Sequence, residues 1–312
     1  MITDEKMKNT VFTKNELLTA IGVSIFLIAL TIVGSFYDYE ISCALYVGQH
    51  PEENAFGVIF AFIGIMPTFV GWSFLGASIL SLSRQFVNGK ARRRWLTAFA
   101  VLLFVLSFFY FCNTLMMVNA NAFSVHWAIA YPIGIVTLAL AALLGYRASR
   151  RCDDPSLIKK VLLLSAVSVA VMILIMSTKG IMERPRFRFV LETSVKDYFV
   201  NWWRRGHEIS ASLPGGIVSD ELASFPSGHS AYSMFALLLF PAFADYSARL
   251  KRYRSLLAVS GFAWWCLTAL SRITVGAHYL TDVSIAALTV IAVWMIARLI
   301  VYAAAKRKGA RS

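Results

Sequence analysis

Two histidines, a carboxylate, three cations and a glycine-flanked serine fall on three short segments in the second half of the chain. They are Lys179-x6-Arg186, then Pro226-Ser227-Gly228-His229, then Ser271-Arg272-x5-His278 with Asp282 four residues further on. This set suits phosphoryl chemistry. A phosphate monoester or diphosphate needs cations around its non-bridging oxygens, a nucleophile, and an acid for the leaving oxygen. Arg186 and Arg272 can each present a planar fork to phosphate oxygens, and Lys179 supplies a point charge. Ser227 and the amides near Gly228 precede an apolar run, and amides at a helix start attract anions. Glycine there admits close approach of the backbone. Two histidines allow one to attack phosphorus and the other to protonate the departing oxygen. His278 and Asp282 share a helical face, so the carboxylate can set the imidazole tautomer, as in catalytic triads. His278 is the expected nucleophile and His229 the expected general acid. No carboxylate or cysteine cluster calls for a metal, and no cofactor is expected.

The elements that carry these residues are apolar. The chain of 312 residues is 58% hydrophobic and 15% charged, unlike a soluble domain. Eight membrane helices are expected: Leu17–Phe36, Ala55–Ser83, Trp95–Met117, Val125–Tyr146, Val161–Thr178, Ser230–Ala244, Leu256–Leu270 and Val283–Tyr302. The first four reach the roughly 20 residues that a span needs, whereas the sixth and seventh are short. The net charge of +13 sits in clusters between apolar runs, which points to membrane anchoring, not nucleic acid. Clusters precede the first span (Lys6, Lys8, Lys14), follow the second (Arg84, Lys90, Arg92, Arg93, Arg94), fourth (Arg147, Arg150, Arg151, Lys159, Lys160) and sixth (Arg249, Lys251, Arg252, Arg254), and close the chain (Lys306, Arg307, Lys308, Arg311). The first two alternate connections are acidic (Asp38, Glu40, Glu52, Glu53) or uncharged (Val118–Ser124). Both termini are therefore expected in the cytoplasm, with the three segments on the opposite, outer side. The first run is too long for a cleaved signal peptide and reads as a signal anchor.

At the three segments the chain resembles the membrane lipid phosphatase branch of the type 2 phosphatidic acid phosphatase superfamily. The family pattern is Lys-x6-Arg-Pro, Pro-Ser-Gly-His and Ser-Arg-x5-His-x3-Asp. The second and third elements match in full. In the first, Phe187 stands where proline is usual; the alternative register Lys179-x4-Arg184-Pro185 keeps Arg-Pro but shortens the spacing, and Arg186 is preferred. The resemblance covers roughly Val161–Tyr302. It implies a phosphate site of Lys179, Arg186, Ser227, Gly228 and Arg272, a phosphohistidine on His278 hydrolysed by water, His229 as acid, Asp282 orienting His278, and no metal. It also implies an all-α, polytopic helix bundle. Residues 1–94 would be a cytoplasmic segment and two additional helices, and residues 95–312 a six-helix phosphatase core with an outer loop at 180–228.

The expected function is hydrolysis of a lipid phosphate or diphosphate at the outer face of a bacterial cytoplasmic membrane, undecaprenyl diphosphate being the first substrate to test. The partners are the lipid substrate and the bilayer. Two alternatives stand: a phosphotransferase using the same intermediate, and a non-catalytic lipid transporter or binding protein. Other residues read more plainly. Arg184 and Arg188 are extra substrate contacts or interfacial anchors, and Trp202-Trp203-Arg204-Arg205 anchors the outer loop at the interface. His50, His126 and His207 are surface or interface residues. Pro67, Pro132 and Pro241 kink helices, Arg298 snorkels, and Cys43, Cys112, Cys152 and Cys266 are packing residues.

Overall fold

A computed structural model describes residues 11–118, 127–212 and 219–309. His126, Lys6, Lys8 and Arg311, along with most of the Val118–Ser124 connection, lie outside the described residues. The described elements are helices: α1 Lys14–Leu45, α2 Pro51–Ile63, α3 Met66–Phe86, α4 Lys90–Val118, α5 Trp127–Arg150, α6 Leu157–Met182, α7 Phe187–Thr193, α8 His207–Ser212, α9 Gly228–Met234, α10 Ala236–Ala242, α11 Ala248–Lys251, α12 Arg254–Thr274 and α13 Leu280–Gly309. Among the described residues, seven helical stretches are long and apolar enough to cross a bilayer. The chain is thus an all-α integral membrane protein, as its composition implies.

Local chemistry sets the boundaries. Thr13 caps α1: its side chain accepts from the Glu16 amide at 3.2 Å, and the Glu16 carboxylate accepts from the Thr13 amide at 2.9 Å, a reciprocal capping box. The second expected span is two helices. Met66 and Pro67 open α3, because proline fits the first helical turn and not a helix interior, and α2 ends at Gly64. The sixth expected span is not one long helix either. It is α9 and α10 followed by a 3-10 turn, Phe243–Tyr246, although Phe235 and Ala242 between the pieces keep right-handed helical angles. Pro132 lies inside α5 and Pro241 inside α10.

In lipid the helices cannot be driven together by hydrophobic exclusion alone, so close packing and interhelical hydrogen bonds matter more. Small residues on α3 serve both: the Ser73 and Ser107 hydroxyls are 2.9 Å apart, Ser107 donates to the Phe69 carbonyl at 2.6 Å, and Trp72 Nε1 donates to Ser168 at 2.7 Å. Trp265 on α12 donates to Ser230 on α9 at 2.7 Å. α1 lies antiparallel along α13, its N-terminal end fixed by Arg298, which donates to Glu16 at 3.2 Å. Arg298 also lies over Phe12 and Trp294, so it is tied to α1 in addition to reaching for the interface.

Contacts sort the ends of the bundle. Lys160 and Arg254 both meet Asp245, and Gln85 donates to the Ser149 carbonyl at 3.3 Å. The connections bearing these basic clusters therefore share one end. The other end collects the C-terminal part of α1, the start of α2, the end of α6, the start of α9 and the α12–α13 turn. Asp38 departs from the acidic connection expected of it: it is a buried residue inside α1. The helix resumes beyond Phe36 after a kink at Tyr37, and Gly34, Asp38 and Ser42 form its inward stripe at four-residue spacing.

Candidate active site

The α12–α13 turn builds the centre of the site. At Gly276 the backbone takes φ +64°, a left-handed conformation that favours glycine; its carbonyl receives the Arg188 amide at 3.0 Å. The turn delivers His278 to a buried position facing the Ser224–Gly228 loop. His278 Nδ1 lies 2.7 Å from the Ser224 carbonyl and 3.7 Å from Asp282 Oδ2. A carbonyl only accepts, so Nδ1 carries the proton and Nε2 is the free nitrogen. The tautomer expected from the His278–Asp282 spacing is therefore present, but the nearest acceptor is Ser224, a residue the spacing did not single out. Burial pushes the His278 imidazole down to about 3 from its ordinary 6.5; a hydrogen bond to Asp282 opposes this, and the charges of Lys179 and Arg186 reinforce it. The histidine is neutral near pH 7, the form a nucleophile needs.

Asp282 is fully buried and fully engaged. It accepts from Arg184 Nη1 at 2.5 Å, from the Ser224 hydroxyl at 2.5 Å and from the Tyr279 amide at 2.9 Å. A buried carboxylate needs such partners, because an unpaired one would be prohibitively costly. The Ser227 amide donates to the Asp282 carbonyl at 3.1 Å, so the second and third segments are joined through the backbone. Ser227 also caps α9 through Ser230.

The second histidine faces the first. The His229 and His278 ring centroids are 6.3 Å apart. His229 Nε2 lies 3.1 Å from the Ala61 carbonyl on α2, which again fixes that nitrogen as a donor and leaves Nδ1 for a substrate oxygen. Arg272 is buried and donates to the Gly57 carbonyl, also on α2. Lys179 reaches the Ala223 carbonyl at 2.5 Å, and a Cβ on Gly228 would lie 3.8 Å from its Cε. The structure thus brings Lys179, Ser227, Gly228, His229, Arg272, His278 and Asp282 to one end of the bundle.

The first segment resolves into three arginines with three jobs. Arg184 is completely buried, donates to Asp38 at 3.0 Å and to Asp282, and packs over the Tyr279 ring at 4.1 Å. It has no face left for a substrate or for the interface, so neither role expected of it holds. Arg188 pairs with Glu221 through Nε and Nη2. Arg186 meets Asp220, donating to its carbonyl at 2.8 Å and its carboxylate at 2.7 Å. Asp220 is 43% exposed, so of the three arginines Arg186 has the partner most easily exchanged for an anion. Phe187 occupies the first position of α7, where proline is also favoured. Its ring is buried against Tyr39, Tyr46 and Tyr279. Two of those rings come from α1 and the residue after it, so the departure from the family pattern serves contact with the first helix.

The loop around Trp202 also differs from expectation. Trp202 donates to Ser35 at 2.9 Å and stacks on Phe225, so it braces the loop before Ser227, while Trp203 stays exposed. His207 lies 3.1 Å from Glu183 and is exposed, as is His50. Three residues that carry the site were missed: Asp38, Ser224 and Asp220. Only Asp38 had a signal, the Gly34–Asp38–Ser42 spacing on an apolar helix.

A search among curated proteins and another among solved structures gave no match. Residues 159–307 match the family model of the PAP2 superfamily, a stretch that runs from early in α6 to near the end of α13 and holds all three segments. Over that stretch, a little under half of the chain, the protein is similar to the PAP2 superfamily, and with its apolar helices this supports a membrane protein of phosphatase type.

Proposed function

We propose that the protein is a phosphatase for lipid phosphates or diphosphates, working through a phosphohistidine on His278 Nε2. The observation that carries this reading is the pair of imidazoles whose tautomers are set by carbonyls, Ser224 for His278 and Ala61 for His229, so that one nitrogen of each is left for substrate. Lys179, Arg186 and Arg272 would bind the non-bridging oxygens, with Ser227 and Gly228 at the same phosphate. Nε2 attacks phosphorus and the P–O bond to the leaving group breaks as His229, protonated at both nitrogens once the anionic substrate is bound, gives its Nδ1 proton to the departing oxygen while Nε2 still donates to Ala61. Water then attacks the phosphohistidine, returns a proton to His229 and releases phosphate. Every group invoked belongs to the protein, and turnover without added metal follows from the reading.

The site's position at the ends of membrane helices suits a substrate whose headgroup enters while its tail stays in the bilayer. The basic clusters on the opposite end support a site on the outer side by the positive-inside rule, with both termini in the cytoplasm. For a bacterial membrane, undecaprenyl diphosphate is the first substrate to test, on family analogy alone. The deciding experiment is phosphate release by purified protein from phosphatidate, phosphatidylglycerol phosphate and polyprenyl diphosphates, with and without chelator. Release from at least one lipid without an acceptor supports a hydrolase. Release only when an alcohol or sugar acceptor is present turns the reading to a phosphotransferase, and none under either condition sinks it.

A further inference from the structure

We propose that Asp38, on the first membrane helix, is a positioning residue for phosphoryl transfer, acting through Arg184 on Asp282 and thereby on His278; the role rests on the phosphatase reading above. Asp38 is only 3% exposed, yet it lies within an apolar helix. Its Oδ1 accepts from the Thr281 amide at 3.0 Å, and its Oδ2 accepts from Arg184 Nη2 at 3.0 Å and from the Thr281 hydroxyl. Thr281 immediately precedes Asp282. Arg184 Nη1 closes the ring, donating to Thr281 Oγ1 at 3.0 Å and to Asp282 Oδ1 at 2.5 Å. One carboxylate on α1 therefore holds both the backbone and the charge partner of the residue next to the nucleophile.

Charge gives this ring a purpose beyond packing. Arg184 alone would cancel most of the negative potential that Asp282 offers to His278. Asp38 offsets Arg184, so the buried group of two carboxylates and one guanidinium is left one unit negative. When Nε2 bonds to phosphorus with Nδ1 still protonated, the ring becomes cationic. A net negative neighbour within a low-dielectric interior stabilises that state. Stability is a poor explanation for the same group, because desolvation usually cancels the gain from a buried ion pair. The approach of the two helices is also tailored: a Cβ on Gly34 would lie 2.8 Å from both Asp38 Oδ1 and Thr281 Cγ2, closer than a Cβ comes to such atoms.

The test uses the full-length protein in detergent, with Asp38→Asn and Asp38→Glu assayed per molecule in the monodisperse fraction. Asp38→Asn keeps an acceptor for Thr281 and removes the charge; Asp38→Glu keeps the charge. The expected result is a kcat at least tenfold lower in Asp38→Asn, a smaller loss in Asp38→Glu, and KM within threefold of the parent in both. The Asp38→Asn effect on kcat should shrink to less than twofold in an Asp282→Asn background, because Asp38 acts through that residue. Wild-type kcat in either folded variant, a loss carried by KM, an undiminished effect in the Asp282→Asn background, or failure of both single variants to fold would each overturn the proposal. A parent protein that releases no phosphate from any lipid would instead remove the phosphatase reading, and this role with it.

Discussion

Arg184 binds Asp282 at 2.5 Å with neither side chain exposed to solvent. Arg184 and Asp282 belong to different segments of the site, and their pairing ties the end of α6 to the first turn of α13. It also separates Arg184 from Arg186, two residues apart in sequence and both buried, by the partners they meet. The first is sealed among carboxylates and aromatic rings. The second keeps a half-exposed partner.

Arg184→Met should be strongly destabilising. It leaves Asp38 and Asp282 as buried carboxylates without their shared cation, and breaking such a group costs about 3–5 kcal/mol. The thermal midpoint of the detergent-solubilised protein would fall clearly, whereas Arg186→Met, which loses a partly exposed pair, would move it little. Equal midpoints for the two variants would contradict the division of roles.

His278→Ala should abolish phosphate release, while His229→Ala should depend on the leaving group. A general acid contributes roughly 100- to 10,000-fold, and only when the departing oxygen needs a proton. With p-nitrophenyl phosphate, whose leaving group departs as an anion, His229→Ala should therefore lose far less activity than with a lipid phosphate. A similar loss on both substrates would exclude His229 as the acid.

Asp220→Asn should tighten the binding of inorganic phosphate. Asp220 occupies Arg186 at 2.7 Å and must be displaced before an anion binds there. The pair is 43% exposed on the Asp220 side, and exposed pairs contribute about 1 kcal/mol or less, so the inhibition constant for phosphate should fall by up to about fivefold. A weaker inhibition by phosphate would mean that Asp220 assists binding.

The buried neutral His278 should make stability depend on pH. Its folded-state value of about 3 lies below the ordinary 6.5, so between those values the unfolded chain takes up a proton that the folded protein refuses. The contribution is complete above pH 6.5 and is lost as pH falls, by about 2 kcal/mol at pH 5. His278→Gln should have a flatter thermal midpoint between pH 7.5 and pH 5 than the parent. A parent midpoint that is flat over that range would show that His278 charges readily in the folded state.

The helical membrane class was legible because runs of about 20 apolar residues have few other uses. The three polar segments stood out against those runs for the same reason. Local pattern could not show that Pro67 starts a new helix, nor that residues 228–246 are divided into α9, α10 and a 3-10 turn. Their composition is that of an ordinary span, and the junction residues Gly64, Ile65, Phe235 and Ala242 keep right-handed helical angles, so the divisions are slight changes of winding that composition does not record. Ser224 was not legible at all, since its carbonyl is one that any residue would have and its hydroxyl meets Asp282 58 residues further along the chain.

Residue types and spacing were enough to name His229, His278, Asp282 and the cations, because phosphoryl chemistry needs those groups in numbers that chance seldom assembles at helix ends. They also left Arg184 and Arg186 as alternatives. Folding separates the two by their partners: Arg184 turns toward buried Asp38, 146 residues away in the chain, and Arg186, also buried, turns toward the half-exposed Asp220. Spacing encodes which residues share a helix face, but not which distant helix supplies a charge. For that reason the contribution of α1 to the site emerges only from the packing of α1 against α13.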